Sequence, residues 1–153
     1  MTERTGSDQQ SDGPRPVWTC PLCGHRFASA NIWHSCSHHD VDEHFAGRPT
    51  ALRATFDHCV DVLAQVGPIT VIAQKTRIVI MVRVRFNGAV VRCKWMDYSI
   101  ALRREVSHPL LRGVASYSPR WAAHTFRFTG PADVDDSIEN WLRESYAVGA
   151  QQD

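Results

Sequence analysis

The sequence contains no uninterrupted apolar run approaching eighteen residues, the length at which a membrane-spanning helix is expected. Its first fifteen residues are mostly Ser, Gly, Asp, Gln and Arg and contain no apolar run, which predicts that no secretory signal starts there. We therefore predict a cytoplasmic protein with no membrane partner. Residues 1–16 are predicted to form a disordered tail.

The chain also lacks the cysteine pattern of a disulfide framework and the common catalytic motifs. Five cysteines are an odd number, and Cys59 and Cys93 fall within apolar patterns. Gly-x-Ser-x-Gly, a Walker loop, a dinucleotide-binding glycine pattern and His-Glu-x-x-His are all missing. An enzyme that uses His124 with Lys75 or Arg77 is the weakest of the functions we consider.

Acidic residues are scarce in the middle of the chain. Residues 75–127 contain eleven Lys or Arg but only Asp97 and Glu105 as acids, a net charge of +9 hidden within an overall charge of +1. Such a concentration of positive charge favours an anionic partner.

The most informative stretch of the sequence is rich in Cys and His. Cys20 and Cys23 are separated by two residues and followed by Gly24, a turn that lets both thiolates face one centre. The sequence continues with His34, Cys36, His38 and His39, so four ligands for tetrahedral Zn²⁺ are within reach. We predict a structural zinc knuckle over residues 17–39, because metal binding would order a segment that has few apolar side chains.

The second pair of ligands is ambiguous from spacing alone. His34 with Cys36 is the tightest pair, and His34 with His38 would suit one face of a helix. Cys36 with His39 would imitate a Cys2His2 finger, since twelve residues separate Cys23 from Cys36. The predicted ligand set is Cys20, Cys23, His34 and Cys36.

Residues 40–150 are predicted to form one α+β domain. Apolar residues at helical spacing predict helices near 50–66 and 133–147. β-rich runs predict strands near 69–73 and 122–129, and residues 104–121 look irregular. Asn87-Gly88 between two such runs predicts a hairpin, 77–86 with 89–97, closed by a two-residue turn. The small antiparallel sheet is expected to pack on the helices.

The register of this hairpin predicts a basic sheet face. It places Arg83 opposite Arg92, and like charges in that position favour either exposure to water or a shared anion. Clustered arginines suit nucleic acid or another polyanion. The predicted surface comprises Lys75, Arg77, Arg83, Arg85, Arg92, Lys94 and Arg127.

Two other interpretations of these residues stay open. The arginines would be partly neutralised, on a solvated face, if they paired with acids of the closing helix (Asp133, Asp135, Asp136 and Glu139). Alternatively, the protein would be a small-molecule or protein-binding module with its pocket between the sheet and the segment 104–121.

Several motifs together resemble a known family. They are Trp-Thr-Cys-Pro-x-Cys-Gly from Trp18, Trp-His-Ser-Cys from Trp33, His44-Phe45-Ala46-Gly47, Gln74-Lys75-Thr76-Arg77-Ile78 and Tyr146-Ala147-x-Gly149. Over residues 18–149 the chain resembles bacterial proteins that carry domain of unknown function 5655. The resemblance implies an α+β domain behind a metal knuckle. It favours His34 and Cys36 as ligands, makes His38 and His39 incidental and adds His44 as an outside candidate.

Overall fold

The computed structural model describes residues 17–21, 26–27 and 39–152. Three α-helices occur in these ranges: α1 (Val41–Phe45), α2 (Thr50–Val66) and α3 (Asp136–Gly149). Two short strands come first, β1 (Trp18–Thr19) and β2 (Arg26–Phe27). Six more follow: β3 (Thr70–Ala73), β4 (Ile78–Met81), β5 (Arg85–Val91), β6 (Met96–Leu102), β7 (Leu111–Ser118) and β8 (Trp121–Phe128). No helix among the described residues is long and apolar enough to cross a membrane.

The two long helices form where apolar spacing predicts them. In α2, Leu52, Phe56, Cys59 and Leu63 lie on one buried face. The α3 helix begins after Asp135, whose side chain accepts a hydrogen bond from the Ile138 N–H at 3.0 Å. The helices predicted near 50–66 and 133–147 are therefore confirmed.

An antiparallel sheet of six strands, in the order β3-β4-β5-β6-β8-β7, carries both helices on one face. Residues that alternate along the central strands point into this layer, among them Tyr98 and Ile100 of β6 and Phe126 and Phe128 of β8. They pack with the buried faces of α2 and α3 into one core. The predicted α+β class is confirmed.

The strand β7 corrects the prediction of irregular structure over 104–121. It pairs with β8 at the edge of the sheet. Its register shifts at two places, between Leu111 and Gly113 and between Ser116 and Ser118. Gly, Ala and Ser have low strand propensity, and the pairing with β8 overrides that local preference.

The predicted hairpin turn at Asn87-Gly88 is wrong, because both residues lie inside β5. Asn87 is buried, and its Nδ2 donates to Ser145 Oγ and to the Phe86 carbonyl oxygen, each at 2.9 Å. These two bonds tie the amide nitrogen of Asn87 to α3 and to the strand backbone, whereas its buried Oδ1 accepts no hydrogen bond from the described residues.

The chain instead reverses at residues 82–84 and again at 92–95. The N–H groups of Arg83 and Val84 both donate to the carbonyl oxygen of Gly149, at 2.9 and 3.1 Å. The second reversal is closed by Arg92 N–H donating to Trp95 O at 2.8 Å. Arg83 is therefore not opposite Arg92, and Cys93 is exposed in a turn instead of facing the apolar side.

The described N-terminal residues lie beside β3. Trp18 pairs with Phe27, so the chain reverses between β1 and β2. Arg26 Nη2 donates to Thr70 Oγ1 at 3.2 Å, and His39 forms an isolated bridge with Ala73.

Candidate anion-binding groove

The face of the sheet that α2 and α3 leave uncovered carries a groove of about 490 Å³. Directly opposed residues of an antiparallel sheet point to the same side, so the register identifies the floor. Val79, Gly88, Ser99 and Thr125 form one row across β4, β5, β6 and β8. The floor is low because its side chains are small, with Ala101, Ala115 and Ala123 in the adjoining positions.

Two hydroxyl groups supply the polar centre of this floor. Ser99 Oγ and Thr125 Oγ1 lie 3.1 Å apart across β6 and β8, and either one is able to donate to the other. The hydroxyl that accepts keeps its own O–H, so the pair is able to donate one hydrogen bond to a bound anion.

Three of the predicted basic residues line the groove. Arg77 comes directly before β4 and Arg92 directly after β5, and these positions share one end of the sheet because Ile78 pairs with Ala89. Arg85 opens β5 opposite Met81, at the other end of β4. Arginines therefore stand at both ends of the floor, and Asp97 also lines the groove, beside Arg92. Arginines at both ends suit an extended anion.

The remaining basic residues of the prediction do not line the groove floor, although Arg127 adjoins its end, opposite Asp97. Arg83 belongs to the 82–84 turn, where its Nε donates to Gln151 Oε1 at 3.3 Å. Lys75 is exposed in the turn between β3 and β4, and Lys94 is exposed in the turn between β5 and β6. Arg127 lies over the ring of Trp95, with its guanidinium carbon 4.4 Å from the ring centroid.

Acids near α3 have partners on the helix side of the molecule. Asp133 accepts from Thr129 N–H at 2.7 Å, Asp135 Oδ2 lies 2.7 Å from His108 Nε2, and Glu139 Oε1 lies 2.8 Å from His58 Nε2. The acid that contacts the groove arginines is Asp97, between Arg92 and Arg127.

The predicted zinc ligands fall largely outside the described residues. Among the described residues, no three His, Cys, Asp or Glu side chains form a group able to hold a metal. Cys20 is buried next to β1, whereas Cys23, His34, Cys36 and His38 lie outside the described ranges.

The two other histidines proposed as ligands make protein contacts. His39 Nδ1 lies 3.3 Å from Glu43 Oε2. His44 Nε2 donates to the carbonyl oxygen of Gln74 at 2.6 Å and so anchors the turn that carries Lys75 and Arg77. The role that the structure gives His44 is to hold this turn beside the groove.

His124 and Cys59 are both buried in the core. His124 Nδ1 donates to Ala122 O at 3.1 Å, and its Nε2 accepts from Val106 N–H at 3.4 Å, which fixes a neutral tautomer. Burial, and secondarily the charge of Glu139, raise the pKa of the Cys59 thiol well above its ordinary range. Neither side chain faces the groove.

Sequence reasoning missed the floor of the groove. Ser99, Thr125 and Trp121 contribute to it only because β8 inserts between β6 and β7. The period of two in Trp121–Phe128 was a usable signal, since it separates a buried face that includes Phe126 and Phe128 from a half-buried face that includes Ala123 and Thr125.

Comparison with known proteins gives one result. A family model described as Domain of unknown function (DUF5655) matches residues 41–149, from the start of α1 to the end of α3. No curated protein and no solved structure matched the chain. The matched range includes every strand of the six-stranded sheet and all residues that line the groove. The chain therefore belongs to the DUF5655 family.

Proposed function

We propose that this protein binds single-stranded nucleic acid in the groove on the uncovered sheet face. The observation that carries the proposal is the shape and charge of that groove: a floor of small residues with arginines at both ends. Along β8 the groove is lined from Trp121 to Thr125, an interval of four residues or about 13 Å at strand spacing. That length suits a short run of nucleotides better than a single compact anion.

The side chains that line the groove supply the two kinds of contact that such binding requires. Arg77, Arg85 and Arg92 are placed to meet phosphates, and the local net charge of +9 over residues 75–127 favours association. Trp121 lines the groove and offers one stacking surface, worth about 1–3 kcal/mol per stacked base. A duplex is too wide to lie on the floor of a groove of about 490 Å³.

The test is fluorescence anisotropy with a labelled oligothymidylate of about twelve nucleotides in about 50 mM monovalent salt. We expect Arg77→Gln and Arg85→Gln each to weaken binding at least about threefold. The salt slope, which is the slope of log K against log salt concentration, should decrease in magnitude by about 0.7 for each phosphate that the variant no longer neutralises. Arg143→Gln is the matched control, because Arg143 is exposed on α3 and pairs with Glu139 at 3.5 Å. Absence of binding, or equal weakening in all three variants, would contradict the proposal.

A second candidate is a small phosphate-bearing ligand. The groove volume of about 490 Å³ falls within the range of about 300–1,000 Å³ typical of small-molecule sites, and the Ser99–Thr125 pair would fix orientation. Competition with a mononucleotide separates the two candidates. Displacement of the oligonucleotide by equimolar thymidine monophosphate favours the small ligand, whereas a requirement for large excess favours the polymer.

We also propose a structural Zn²⁺ bound by Cys20, Cys23, His34 and Cys36. The reversal between β1 and β2 around the segment that contains Cys23, and the burial of Cys20, support it. Purified protein should then contain about one zinc per chain. Cys36→Ser should lose it and His39→Ala should keep it, as measured by atomic emission, and full retention in Cys36→Ser would refute this ligand set. Cysteine thiolates that bind a metal suit a reducing compartment, so we propose a cytoplasmic location.

A further inference from the structure

The end of the groove next to the 92–95 turn holds a cluster of two arginines, one carboxylate and one indole. Asp97 Oδ2 lies 3.3 Å from Arg92 Nε, and Asp97 Oδ1 lies 3.8 Å from Arg127 Nε. Asp97 is opposite Arg127 in the pairing of β6 with β8, and Trp95 underlies the Arg127 guanidinium. The cluster is thus built from three neighbouring parts of the sheet.

The carboxylate of Asp97 does not satisfy all the hydrogen-bond donors of this cluster. A charge-assisted N–H···O bond is ordinarily about 2.7–2.9 Å long, and both Asp97 contacts exceed that length. Arg127 Nε and Trp95 Nε1 are buried N–H donors that have no hydrogen-bond acceptor among the residues that the structure describes. A buried donor without an acceptor is costly, so the cluster has unused capacity for oxygen atoms.

A phosphate group matches this capacity better than the carboxylate does. It presents more oxygen acceptors, and arginine guanidinium groups bind it with paired N–H donors. Asp97 lines the groove with its side chain about one-fifth exposed, so a ligand can reach the Arg92–Asp97 contact.

We propose that Arg92, Arg127 and Trp95 form a phosphate subsite in which Asp97 is the resident anion that a ligand's phosphate replaces. Asp97 holds the two arginines in place when no ligand is bound, and it opposes the incoming phosphate by its like charge. The inference rests on the proposed function, since it names the end of the groove at which a phosphate of the bound molecule lies.

The experiment compares Asp97→Asn with Glu144→Gln in the full-length protein. Each change removes one negative charge paired with arginine, but Glu144 pairs with Arg104 on the helix side, at 3.0 Å. With the labelled oligothymidylate, Asp97→Asn should tighten binding about threefold or more and steepen the salt slope by about 0.7–1.4, while Glu144→Gln leaves both unchanged. Unaltered or weaker binding by a folded Asp97→Asn protein overturns the inference.

Two further experiments test the coupling of Asp97 to Arg92 and the subsite by itself. If Asp97 masks Arg92, then Arg92→Gln should reduce affinity more in the Asp97→Asn background than in the native protein; additive effects would contradict this. Inorganic tripolyphosphate, titrated by calorimetry, tests the subsite without a nucleic acid. If Asp97→Asn binds tripolyphosphate more tightly but the protein does not bind the oligonucleotide, the proposed function is contradicted and the subsite is not. If oligonucleotide binding depends on Arg77 but not on Asp97, the subsite is contradicted and the proposed function is not.

Discussion

At Gly149 the chain has no room for a side chain, because the ring of Phe86 occupies the position where a Cβ would lie. Gly67 is in the same situation with the phenol of Tyr146, whose hydroxyl donates to Pro68 O at 2.8 Å. The Tyr146-Ala147-x-Gly149 motif thus has a structural explanation: its two ends fix α3 against the end of α2 and the start of β5.

Gly149→Ala should destabilise the fold. Helix propensity alone would favour Ala by up to about 1 kcal/mol, but crowding of a buried ring costs about 1–3 kcal/mol, and we expect the second effect to dominate. Urea unfolding followed by circular dichroism measures the difference. Gly113→Ala is the control, since nothing lies within 4 Å of a Cβ there. A Gly149→Ala protein as stable as the native one would show that Phe86 moves freely.

Asp135 should give the fold a pH-dependent contribution. Partial burial opposes its ionisation, but hydrogen bonds from His108 and from the Ile138 N–H outweigh this and hold the pKa of Asp135 below its ordinary value of 3.8. A carboxyl group whose pKa is lower in the folded state stabilises the fold above that ordinary value. This contribution disappears as the pH falls through the lowered value.

We therefore expect Asp135→Asn to be less stable than the native protein near pH 6, by less than about 1 kcal/mol because half of the side chain is exposed. Asn still caps a helix, so the variant isolates the effect of the charge. The gap should close as the pH falls below about 4, as measured by urea unfolding over that range. A gap that stays constant with pH would mean that the carboxylate has no favourable partner.

Among the elements, the β3–β4 turn depends on a contact from α1. Gln74 N–H donates to Arg77 O at 2.7 Å, and His44 donates to the carbonyl oxygen of the same Gln74. Two of the motifs that the sequence displays, one around His44 and one from Gln74 to Ile78, therefore meet in space.

His44→Ala should cost about 1 kcal/mol of stability and should weaken oligonucleotide binding, because the turn that carries Lys75 and Arg77 loses its anchor. His44→Gln, which keeps a donor, should recover part of both. Unfolding and anisotropy measurements on the same preparations make the comparison. Unchanged affinity in a folded His44→Ala protein would show that Arg77 is positioned without this bond.

The elements also show which local signals were reliable. The spacing of Leu52, Phe56 and Leu63 predicted α2 correctly, because the apolar period that buries one face of a helix is visible within a single segment of the sequence. Asn87-Gly88 misled because a turn signal is local, whereas the partners of Asn87 come from Ser145 and from neighbouring strands. Arg77, Arg85 and Arg92 were nonetheless among the predicted basic residues, although the hairpin register used to predict that face is wrong.

For the molecule as a whole, the core cluster of the described residues draws on Phe45 to Val148, and the few knuckle residues that the structure describes do not belong to it. We therefore expect a chelator to disorder only the N-terminal segment and to leave the sheet, α2 and α3 folded. Hydrogen exchange read by mass spectrometry, with and without chelator, resolves the two regions. Simultaneous loss of protection throughout the chain would show that knuckle and domain fold as one unit.

The site as a whole exceeded what the sequence reveals. The groove is lined by residues of five strands, so it depends on the order of those strands in the sheet. No local sequence signal indicates that β8 lies between β6 and β7. Arg92 and Arg127 were identified from charge, but their common partner Asp97 was not, because its role depends on which strands are neighbours.

The carbonyl of Gly149 has a consequence for the timing of folding. Within the β4–β5 reversal, Val82 N–H donates to Val84 O, and the N–H groups of Arg83 and Val84 donate to the Gly149 oxygen, which lies some sixty-five residues further along the chain. Contacts between residues so far apart in sequence form late, and during synthesis the acceptor leaves the ribosome after every strand has emerged. We infer that the 82–84 turn takes its final form only when α3 docks, whereas β4 and β5 pair directly with each other. The last helix to be made would therefore complete a hairpin that was synthesised long before it.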